Sequence, residues 1–245
     1  MYDNIKLTSL DDIVVAMSPL TYLCLSIMLI DSTKTAEIQT AVGNAYGFRP
    51  HVHKYLVMLN IYASESRTED YQIFSCSGSI IDKNWIISAA HCFSGYVSEI
   101  EIITLTGSKE NVLGFGKGYS NHPHFIHFKG SNCTNIRNDL ALVKTTKPIQ
   151  LNAFIKPIAL ARFKASGQQG IVAGYAWGIP LEGAVVVNRC KVPRGCKMLC
   201  SQHGAYAERG DSGGALTTDD GLIGVISPKC QLDVLTDLYT TCERF

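Results

Sequence analysis

A serine enclosed by glycines near the C-terminal end of the chain is the residue best suited to chemistry. Ser212 lies in the segment Gly210-Asp211-Ser212-Gly213-Gly214. Glycines at this spacing suit a tight turn whose backbone takes positive φ values and whose N–H groups stay free for a ligand. A serine hydroxyl is a weak nucleophile, so attack on a carbonyl requires a base, a group that orients the base, and donors for the oxyanion. We therefore expect other segments to supply these three groups.

His91 and Asp139 are the candidate base and orienting group. His91 lies in Ser-Ala-Ala-His-Cys and Asp139 in Asn-Asp-Leu-Ala-Leu. The chain order is therefore His, Asp, Ser, which is one of three orders used by unrelated triad enzymes. A buried structural histidine is the alternative for His91, but it does not account for the flanking alanines and cysteine. The pattern favours a triad that ends at Ser212.

These three segments together resemble the signature segments of the trypsin/chymotrypsin-like serine peptidases, and the resemblance runs from about Ala41 to Tyr239. It implies that His91 takes the hydroxyl proton of Ser212 and later returns it to the leaving amine. It also implies that Asp139 fixes the tautomer of the imidazole and stabilises the imidazolium. The backbone N–H groups of Gly210 and Ser212 would form the oxyanion hole.

The elements that must position these residues are short strands separated by turns. Apolar or alternating runs predict strands at Tyr55–Tyr62, Ser75–Ile81, Trp85–Ala90, Glu99–Ile102, Leu140–Lys144, Ile155–Leu160, Gly170–Gly178, Ala184–Val187, Gly221–Ser227 and Val234–Tyr239. No stretch has sustained helical periodicity, and neither a repeat nor a low-complexity linker is present. The pattern predicts an all-β barrel or sandwich. The resemblance implies two six-stranded antiparallel β-barrels with the catalytic site in the cleft between them.

Length, charge and cysteine content narrow the class of protein. The 245 residues suit one all-β domain or two small ones, and a hydrophobic fraction of 46% is sufficient for a core. A formal net charge of +1 does not point to nucleic acid or acidic membranes as partners. Nine cysteines indicate an oxidising compartment. We expect protein or peptide substrates, protein inhibitors of serine peptidases as further partners, a monomer, and no cofactor.

The N-terminal region predicts secretion. Leu20–Ile30 is an apolar run as long as the hydrophobic region of a signal peptide and too short to cross a bilayer, although a buried strand or helix is the alternative. Met1–Asp12 carries three aspartates and one lysine, which is a poor start for a signal peptide, so we hypothesise that Met17 is the functional start. We expect a secreted protein without a stable membrane anchor, divided into a leader at 1–36, a short propeptide at 37–40 and a peptidase domain at 41–245.

The segment Ala41-Val42-Gly43-Asn44 resembles the Ile-Val-Gly-Gly that begins mature members of this family. The resemblance implies that cleavage frees the α-amino group of Ala41, which then pairs with Asp211 and shapes the oxyanion turn, as in a zymogen. Alanine buries less apolar surface than isoleucine. Thr40 stands where most relatives have arginine or lysine, so a trypsin-like activator would not cut there.

The resemblance also implies two disulfides, Cys76–Cys92 beside the histidine segment and Cys190–Cys200. Spacing alone does not assign partners to Cys133, Cys196, Cys230 or Cys242. Two metal sites are weaker alternatives, and we expect neither: a zinc site at Cys190, Cys196 and Cys200, and a histidine site at His122, His124 and His127. The segment Asn132-Cys133-Thr134 is an N-glycosylation acceptor by pattern, usable in a secreted protein.

The specificity pocket is the least determined part of the site. Tyr206 stands where relatives that cut after arginine or lysine carry aspartate, and Glu208 replaces a usual cysteine. Asp233 offers a carboxylate to a basic side chain, or is a solvated turn residue. Lys229 replaces a small residue near the pocket mouth, and Ser227 resembles the serine that supports the triad aspartate and begins the strand where substrate docks.

Two further departures concern the length of the chain. The segment between Trp177 and Cys190 is shorter than in relatives, and the sequence ends at Phe245, where relatives add a helix. We expect a secreted serine endopeptidase that forms an acyl-enzyme intermediate. The alternative is a non-catalytic serine-peptidase homologue that binds a partner through the same cleft.

Overall fold

The computed structural model describes residues 46–47, 52–66, 70–106, 109–126, 138–190, 198–205, 207–227 and 236–241. All of them belong to one compact unit, Thr40–Phe245. This part of the chain forms thirteen β-strands and one short 3-10 helix. It contains no helix of the length and hydropathy needed to cross a membrane. The predicted leader, propeptide and Ala41 lie outside the described residues, so the domain boundaries stay predictions.

The first barrel is a closed antiparallel ring in the order β2-β3-β4-β7-β6-β5. Its strands are β2 (Leu56–Ser64), β3 (Gln72–Asp82), β4 (Trp85–Ser88), β5 (Tyr96–Thr106), β6 (Lys109–Asn121) and β7 (Ala141–Thr145). Alternate side chains point inward because successive residues of a strand face opposite sides of the sheet. Leu59, Ile61, Ile80, Ile100 and Ile102 are thereby fully buried and fill the barrel.

The second barrel is built in the same way from the C-terminal half. Its strands are β8 (Gln168–Ala176), β9 (Ile179–Arg189), β10 (Met198–Gly204), β11 (Ala215–Thr218), β12 (Gly221–Ser227) and β13 (Thr236–Thr241). They pair in the order β9-β10-β13-β12-β11-β8, and β8 also pairs with β9, which closes the ring. The two-residue strand β1 (Tyr46–Gly47) adds to β9. The prediction of two six-stranded antiparallel barrels is therefore confirmed.

A two-residue turn connects β8 to β9. Trp177 and Gly178 have φ values of +52° and +78°, the combination of a type I′ turn, which matches the twist of the flanking strands. The strands therefore pair up to Ala176 and Ile179. The short segment after Trp177 therefore forms a tight hairpin between β8 and β9.

Three predicted strands need correction. Ile155–Leu160 is an extended connector and not a strand, because Lys156 N–H donates to Lys54 O at 2.9 Å whereas Ile158 N–H donates to Ile80 O, also at 2.9 Å. Its other hydrogen bond to a strand comes from Leu222 N–H of β12, which donates to Ala159 O at 2.9 Å, so the bonds go to separate segments and no ladder forms. β4 ends at Ser88, before the predicted Ala90, which begins the 3-10 helix. β8 ends at Ala176, since Trp177 and Gly178 form the turn.

Four strands that the sequence did not predict are also present. They are β1, β6, β10 and β11. In β6 three glycines interrupt the apolar alternation on which the prediction depends. β11 has only four residues, which is too short to give a periodic signal.

A polar cluster links the two barrels at one place. Tyr55 and His53 precede β2, and the Tyr55 hydroxyl lies 2.9 Å from His53 Nδ1. The other ring nitrogen of His53 pairs with Glu182 of β9. The pKa of Tyr55 is raised to about 12, mainly because the hydroxyl is buried. A hydrogen bond with Thr217 lowers the pKa in part, and the Glu182 carboxylate raises it further. The hydroxyl therefore stays protonated through the neutral pH range.

Candidate active site

The pairing of β4 with β7 brings His91 and Asp139 together. These antiparallel strands pair Ser88 with Ala141, so the end of β4 and the start of β7 lie at the same edge of the barrel. His91 follows β4 in the 3-10 helix Ala90–Cys92, and Asp139 lies two residues before the start of β7. The backbone N–H of His91 donates to Asp139 Oδ1 at 2.8 Å, and its Nδ1 lies 2.8 Å from Oδ2.

The Asp139 carboxylate is fully buried and has a third hydrogen-bond donor. The Ser227 hydroxyl, at the end of β12 in the second barrel, donates to Oδ2 at 2.6 Å. Burial alone raises the pKa of Asp139, but the hydrogen bonds from His91 and Ser227 and the charge of the imidazole lower it below its ordinary value. The group is therefore ionised at neutral pH. Because Asp139 accepts a hydrogen bond from Nδ1–H, the neutral His91 ring has its proton on Nδ1 and its free lone pair on Nε2. Nε2 is therefore the nitrogen that can act as a base.

The turn that carries Ser212 is held against both barrels. Gly213 N–H donates to Ile226 O at 2.9 Å, and Ser77 N–H, from β3, donates to Ser212 O at 2.7 Å. Gly213 has a φ of +83°, and a Cβ atom there would collide with the Ser88 hydroxyl and the Ser77 carbonyl. The glycine is thus required by conformation and by space.

Two N–H groups of this turn remain available for a ligand. Trp177 N–H donates to Arg209 O at 3.1 Å. Because the trans peptide between Arg209 and Gly210 directs its C=O and N–H to opposite sides, the Gly210 N–H points away from Trp177. Neither the Gly210 nor the Ser212 N–H has a hydrogen-bond acceptor within the described part of the chain.

Ser212 lies next to His91, but the two side chains are not hydrogen bonded to each other. Cys92 Sγ is 3.9 Å from His91 Nε2 and 3.8 Å from Ser212 O, so the imidazole and the serine backbone border the same sulfur atom. Both residues are described, and no hydrogen bond joins Nε2 to the Ser212 hydroxyl. Such contacts are often longer without substrate and tighten when it binds.

Both implied disulfides are present, Cys76–Cys92 and Cys190–Cys200. The first ties β3 to the residue that follows His91, and the second excludes a zinc site built on the thiolates of Cys190 and Cys200. Cys133, Cys196, Cys230 and Cys242 lie outside the described residues.

Metal-binding groups are limited to one cluster in the described residues. It consists of Cys76, His91 and Cys92, and two of these three side chains are already in a disulfide. His122 and His124 have ring centroids 5.8 Å apart, and His124 N–H donates to His122 Nδ1 at 3.2 Å. That bond occupies one of the two ring nitrogens of His122, and neither histidine belongs to a group of three potential metal ligands in the described residues.

Asp211 is buried directly before the candidate nucleophile. Its Oδ2 accepts from Glu208 N–H at 3.0 Å, and its own N–H donates to Glu208 O at 3.2 Å. Gly174 of β8 lies so close that a Cβ there would collide with the carboxylate. The ion pair with the α-amino group of Ala41 stays a prediction, because Ala41 lies outside the described residues.

A cavity of about 430 Å³ opens beside the oxyanion turn and was not predicted from the sequence. It is lined by Met58, Asn60, Ile73, Phe74, Ser75, Glu110, Trp177, Gly178, Arg209 and Gly210. The Arg209 guanidinium lies 5.9 Å from the centroid of the Trp177 ring, which is 67% exposed. The cavity therefore combines aromatic surface with charges of both signs.

Several predicted site residues lie outside the described part of the chain. They are Tyr206, Lys229 and Asp233 of the specificity pocket, His127 of the histidine cluster, and the acceptor Asn132. One buried residue at the site was missed altogether. Ser77 of β3 contacts the oxyanion turn through its side chain, and nothing local in the sequence distinguishes it from other strand serines.

Comparison with known proteins found relatives that belong to one family. A family model described as Trypsin matches residues 46–245. The chain is 29% identical over 179 residues to Trypsin-2 of Salmo salar, covering 62% of this chain and 72% of that protein. It is 29% identical over 194 residues to Serine protease 1 of Rattus norvegicus, covering 69% and 76% respectively. A solved collagenase structure is similar with a TM-score of 0.65 at 23% identity, covering 81% of this chain and 92% of that chain, a likeness of fold.

Proposed function

The chain belongs to the trypsin family of serine endopeptidases, and we propose that it is a secreted member that hydrolyses peptide bonds through His91, Asp139 and Ser212. The observation that carries the proposal is the pair of hydrogen bonds from His91 to the buried Asp139, which orients the imidazole beside the Ser212 turn. A buried carboxylate bonded in this way selects the tautomer that can accept a proton at Nε2.

The proposed reaction has two stages. The Ser212 Oγ forms a bond to the scissile carbonyl carbon while its proton passes to His91 Nε2. The carbonyl oxygen becomes an oxyanion that accepts from the N–H groups of Gly210 and Ser212. His91 then donates that proton to the leaving amine as the C–N bond breaks, which leaves an acyl-enzyme. In the second stage water attacks the acyl carbon and gives a proton to His91 Nε2. His91 returns that proton to Ser212 Oγ as the bond between Oγ and the acyl carbon breaks and the acid product leaves.

Asp139 acts on His91 and not on the substrate in this proposal. When His91 becomes an imidazolium, the negative charge of Asp139 lies 2.8 Å from Nδ1 and stabilises it. Ser227 keeps that carboxylate ionised and fixed through its own donated hydrogen bond. The Ser212 side chain must turn toward Nε2 for the first proton transfer, since no hydrogen bond joins the two groups in the structure.

The cavity beside Gly210 supports a polypeptide substrate. Because it borders a proposed oxyanion donor, it would receive residues on one side of the scissile bond. Exposed aromatic surface at Trp177 and polar groups at Asn60, Glu110 and Arg209 suit side chains and backbone of an extended peptide. Protein inhibitors that present such a segment would bind in the same place.

Secretion is part of the same proposal. Two disulfides and nine cysteines in all fit an oxidising compartment. A leader at 1–36, a propeptide at 37–40, action as a monomer and activation through Ala41 and Asp211 belong to the proposal as well. The proposal also includes glycosylation at Asn132 and substrate contacts at Tyr206, Lys229 and Asp233.

A peptide-cleavage experiment tests the proposed function. The secreted protein, with its mature N-terminus identified, is incubated with a mixture of unstructured peptides, and the products are sequenced by mass spectrometry. We expect defined cleavage sites that disappear in Ser212→Ala. The absence of products from folded, processed protein would instead favour a non-catalytic homologue, and an unchanged set of products from Ser212→Ala would overturn the assignment of the nucleophile.

A further inference from the structure

Ser77 of β3 connects the first barrel to the oxyanion turn of the second. Its side chain is fully buried and uses both of its hydrogen-bonding roles. The hydroxyl donates to Gly210 O at 2.9 Å and accepts from Tyr175 N–H at 2.8 Å. Its backbone N–H donates to Ser212 O at 2.7 Å. One residue therefore restrains the turn on both sides of Asp211.

These contacts fix the peptide planes that aim the oxyanion donors. The plane between Arg209 and Gly210 is held by the bond from Trp177 N–H to Arg209 O. The plane after Gly210 is held on its carbonyl side by the Ser77 hydroxyl and on its N–H side by the bond from Asp211 N–H to Glu208 O at 3.2 Å. With both planes fixed, the φ of Gly210 is set at +103°, although glycine alone would permit many values. The direction of the Gly210 N–H is then determined.

We propose that Ser77 is a positioning residue of the oxyanion hole, whose hydroxyl sets the direction of the Gly210 N–H and thereby the rate of the chemical step. The inference rests on the proposed function, since it assumes that Gly210 and Ser212 bind an oxyanion. Ser77 acts through the turn and does not touch substrate.

The location of the hydroxyl explains why its loss matters. It lies between Tyr175 N–H, a donor, and Gly210 O, an acceptor. Without it both groups are buried and unpaired, which is unfavourable, so they are driven to bond to each other directly. That movement would draw the Gly210 carbonyl toward β8. It would also rotate the Gly210 N–H away from the position of the oxyanion.

β3 itself offers a matched control. Ser79 lies two residues along, on the same side of the strand, and is 1% exposed. Its hydroxyl has no hydrogen-bond partner in the described part of the chain. Ser77→Ala and Ser79→Ala therefore remove the same atom from equally buried positions of one strand, and only the first removes contacts to the turn.

The test measures kcat and KM for both variants of the matured protein on a peptide whose cleavage requires Ser212. Affinity for a peptide aldehyde is measured in parallel, because the aldehyde forms an oxyanion-bearing adduct with the serine. We expect Ser77→Ala to lower kcat by about 10- to 100-fold. This decrease is no greater than the decrease in kcat that follows removal of a whole oxyanion donor. KM should stay within about twofold, and aldehyde affinity should fall with kcat. Ser79→Ala should resemble the wild type.

Three outcomes would overturn the inference while leaving the proposed function intact, provided cleavage still requires Ser212. They are a kcat of Ser77→Ala within about twofold of the wild type, an effect confined to KM, and an equal loss in Ser79→Ala. If Ser77→Ala does not fold, Ser77→Cys replaces it, since a thiol retains the volume with weaker hydrogen bonding. A kcat of Ser77→Cys below that of Ser79→Ala supports the inference, and an equal kcat refutes it. Cleavage that persists in Ser212→Ala refutes the proposed function itself.

Discussion

Removing the Ser227 hydroxyl should destabilise the protein in a way that depends on pH. Ser227 donates to Asp139 Oδ2 at 2.6 Å, and the acceptor is a buried carboxylate that also receives two bonds from His91. A hydrogen bond to a charged group contributes about 1.5–3 kcal/mol, whereas a bond between neutral groups contributes about 0.5–1.5 kcal/mol. Ser227→Ala should therefore lower the free energy of unfolding by about 1.5–3 kcal/mol at pH 7.

The sign of the pH dependence follows from the lowered pKa of Asp139 in the folded state. The unfolded chain binds a proton at this carboxyl at a higher pH than the folded protein does. The stabilisation is therefore complete above the unfolded pKa of about 3.9, and it is lost as the pH falls through the folded pKa. In Ser227→Ala the pKa of Asp139 moves back up, so that contribution is smaller.

Urea unfolding of the wild type and Ser227→Ala between pH 3 and pH 7 measures this effect. The stability difference should be greatest near neutral pH and should shrink toward the lowest pH, where a neutral carboxyl accepts only a weaker bond. Ser79→Ala, which removes a buried hydroxyl that has no hydrogen-bond partner among the described residues, serves as the control and should show no such trend. A difference that is constant from pH 3 to 7, or no destabilisation at pH 7, would refute the reasoning.

Substitutions at three further positions have definite expectations. Tyr55→Phe deletes the hydroxyl that contacts His53, and should lower the free energy of unfolding by about 1 kcal/mol. Because the folded pKa of Tyr55 is raised to about 12, the wild type should lose stability as the pH rises above about 10, and Tyr55→Phe should lose less; equal losses would contradict this. Gly213→Ala, with a φ of +83° and a Cβ directed at Ser88, should cost about 3 kcal/mol or more, or prevent folding, and near-native stability by calorimetry would be evidence against the turn. Asn138→Ala and Asn138→Gly both lose the hydrogen bond from Asn138 Nδ2 to His124 O at 3.0 Å, but only alanine is strained at the φ of +52°. Asn138→Ala should therefore be less stable than Asn138→Gly by about 1 kcal/mol, and equal losses in urea unfolding would show that the φ is not the cause.

The residues to which we assign chemical roles could be identified from the sequence, because such roles restrict the residue types that can fill them. Ser212 needs glycines on both sides to turn sharply, and its pattern is distinctive within five residues. The strand β12 was also predicted with its observed bounds, because Gly221–Ser227 is apolar and ends at a polar residue. Features that depend on neighbouring residues in the chain can therefore be recognised from a short stretch of sequence.

The parts that could not be predicted depend on contacts between distant segments. The partners of the Ser77 hydroxyl are 98 and 133 residues away in the chain, so no local pattern indicates its role. The run Ile155–Leu160 has the composition of a strand, but it connects the barrels and its hydrogen bonds go to separate segments. β6 is a long strand despite its glycines, because pairing with β5 and β7 outweighs its poor propensity.

Labelling with a fluorophosphonate tests the central claim most directly, because the reagent reacts with a serine that an adjacent base has activated. The matured protein is labelled, digested and mapped by mass spectrometry beside Ser212→Ala and His91→Ala. We predict one label, on Ser212, that is absent from Ser212→Ala and forms about 100-fold or more slowly in His91→Ala. Folded, matured protein that takes up no label, or takes it up at another residue, would contradict the account.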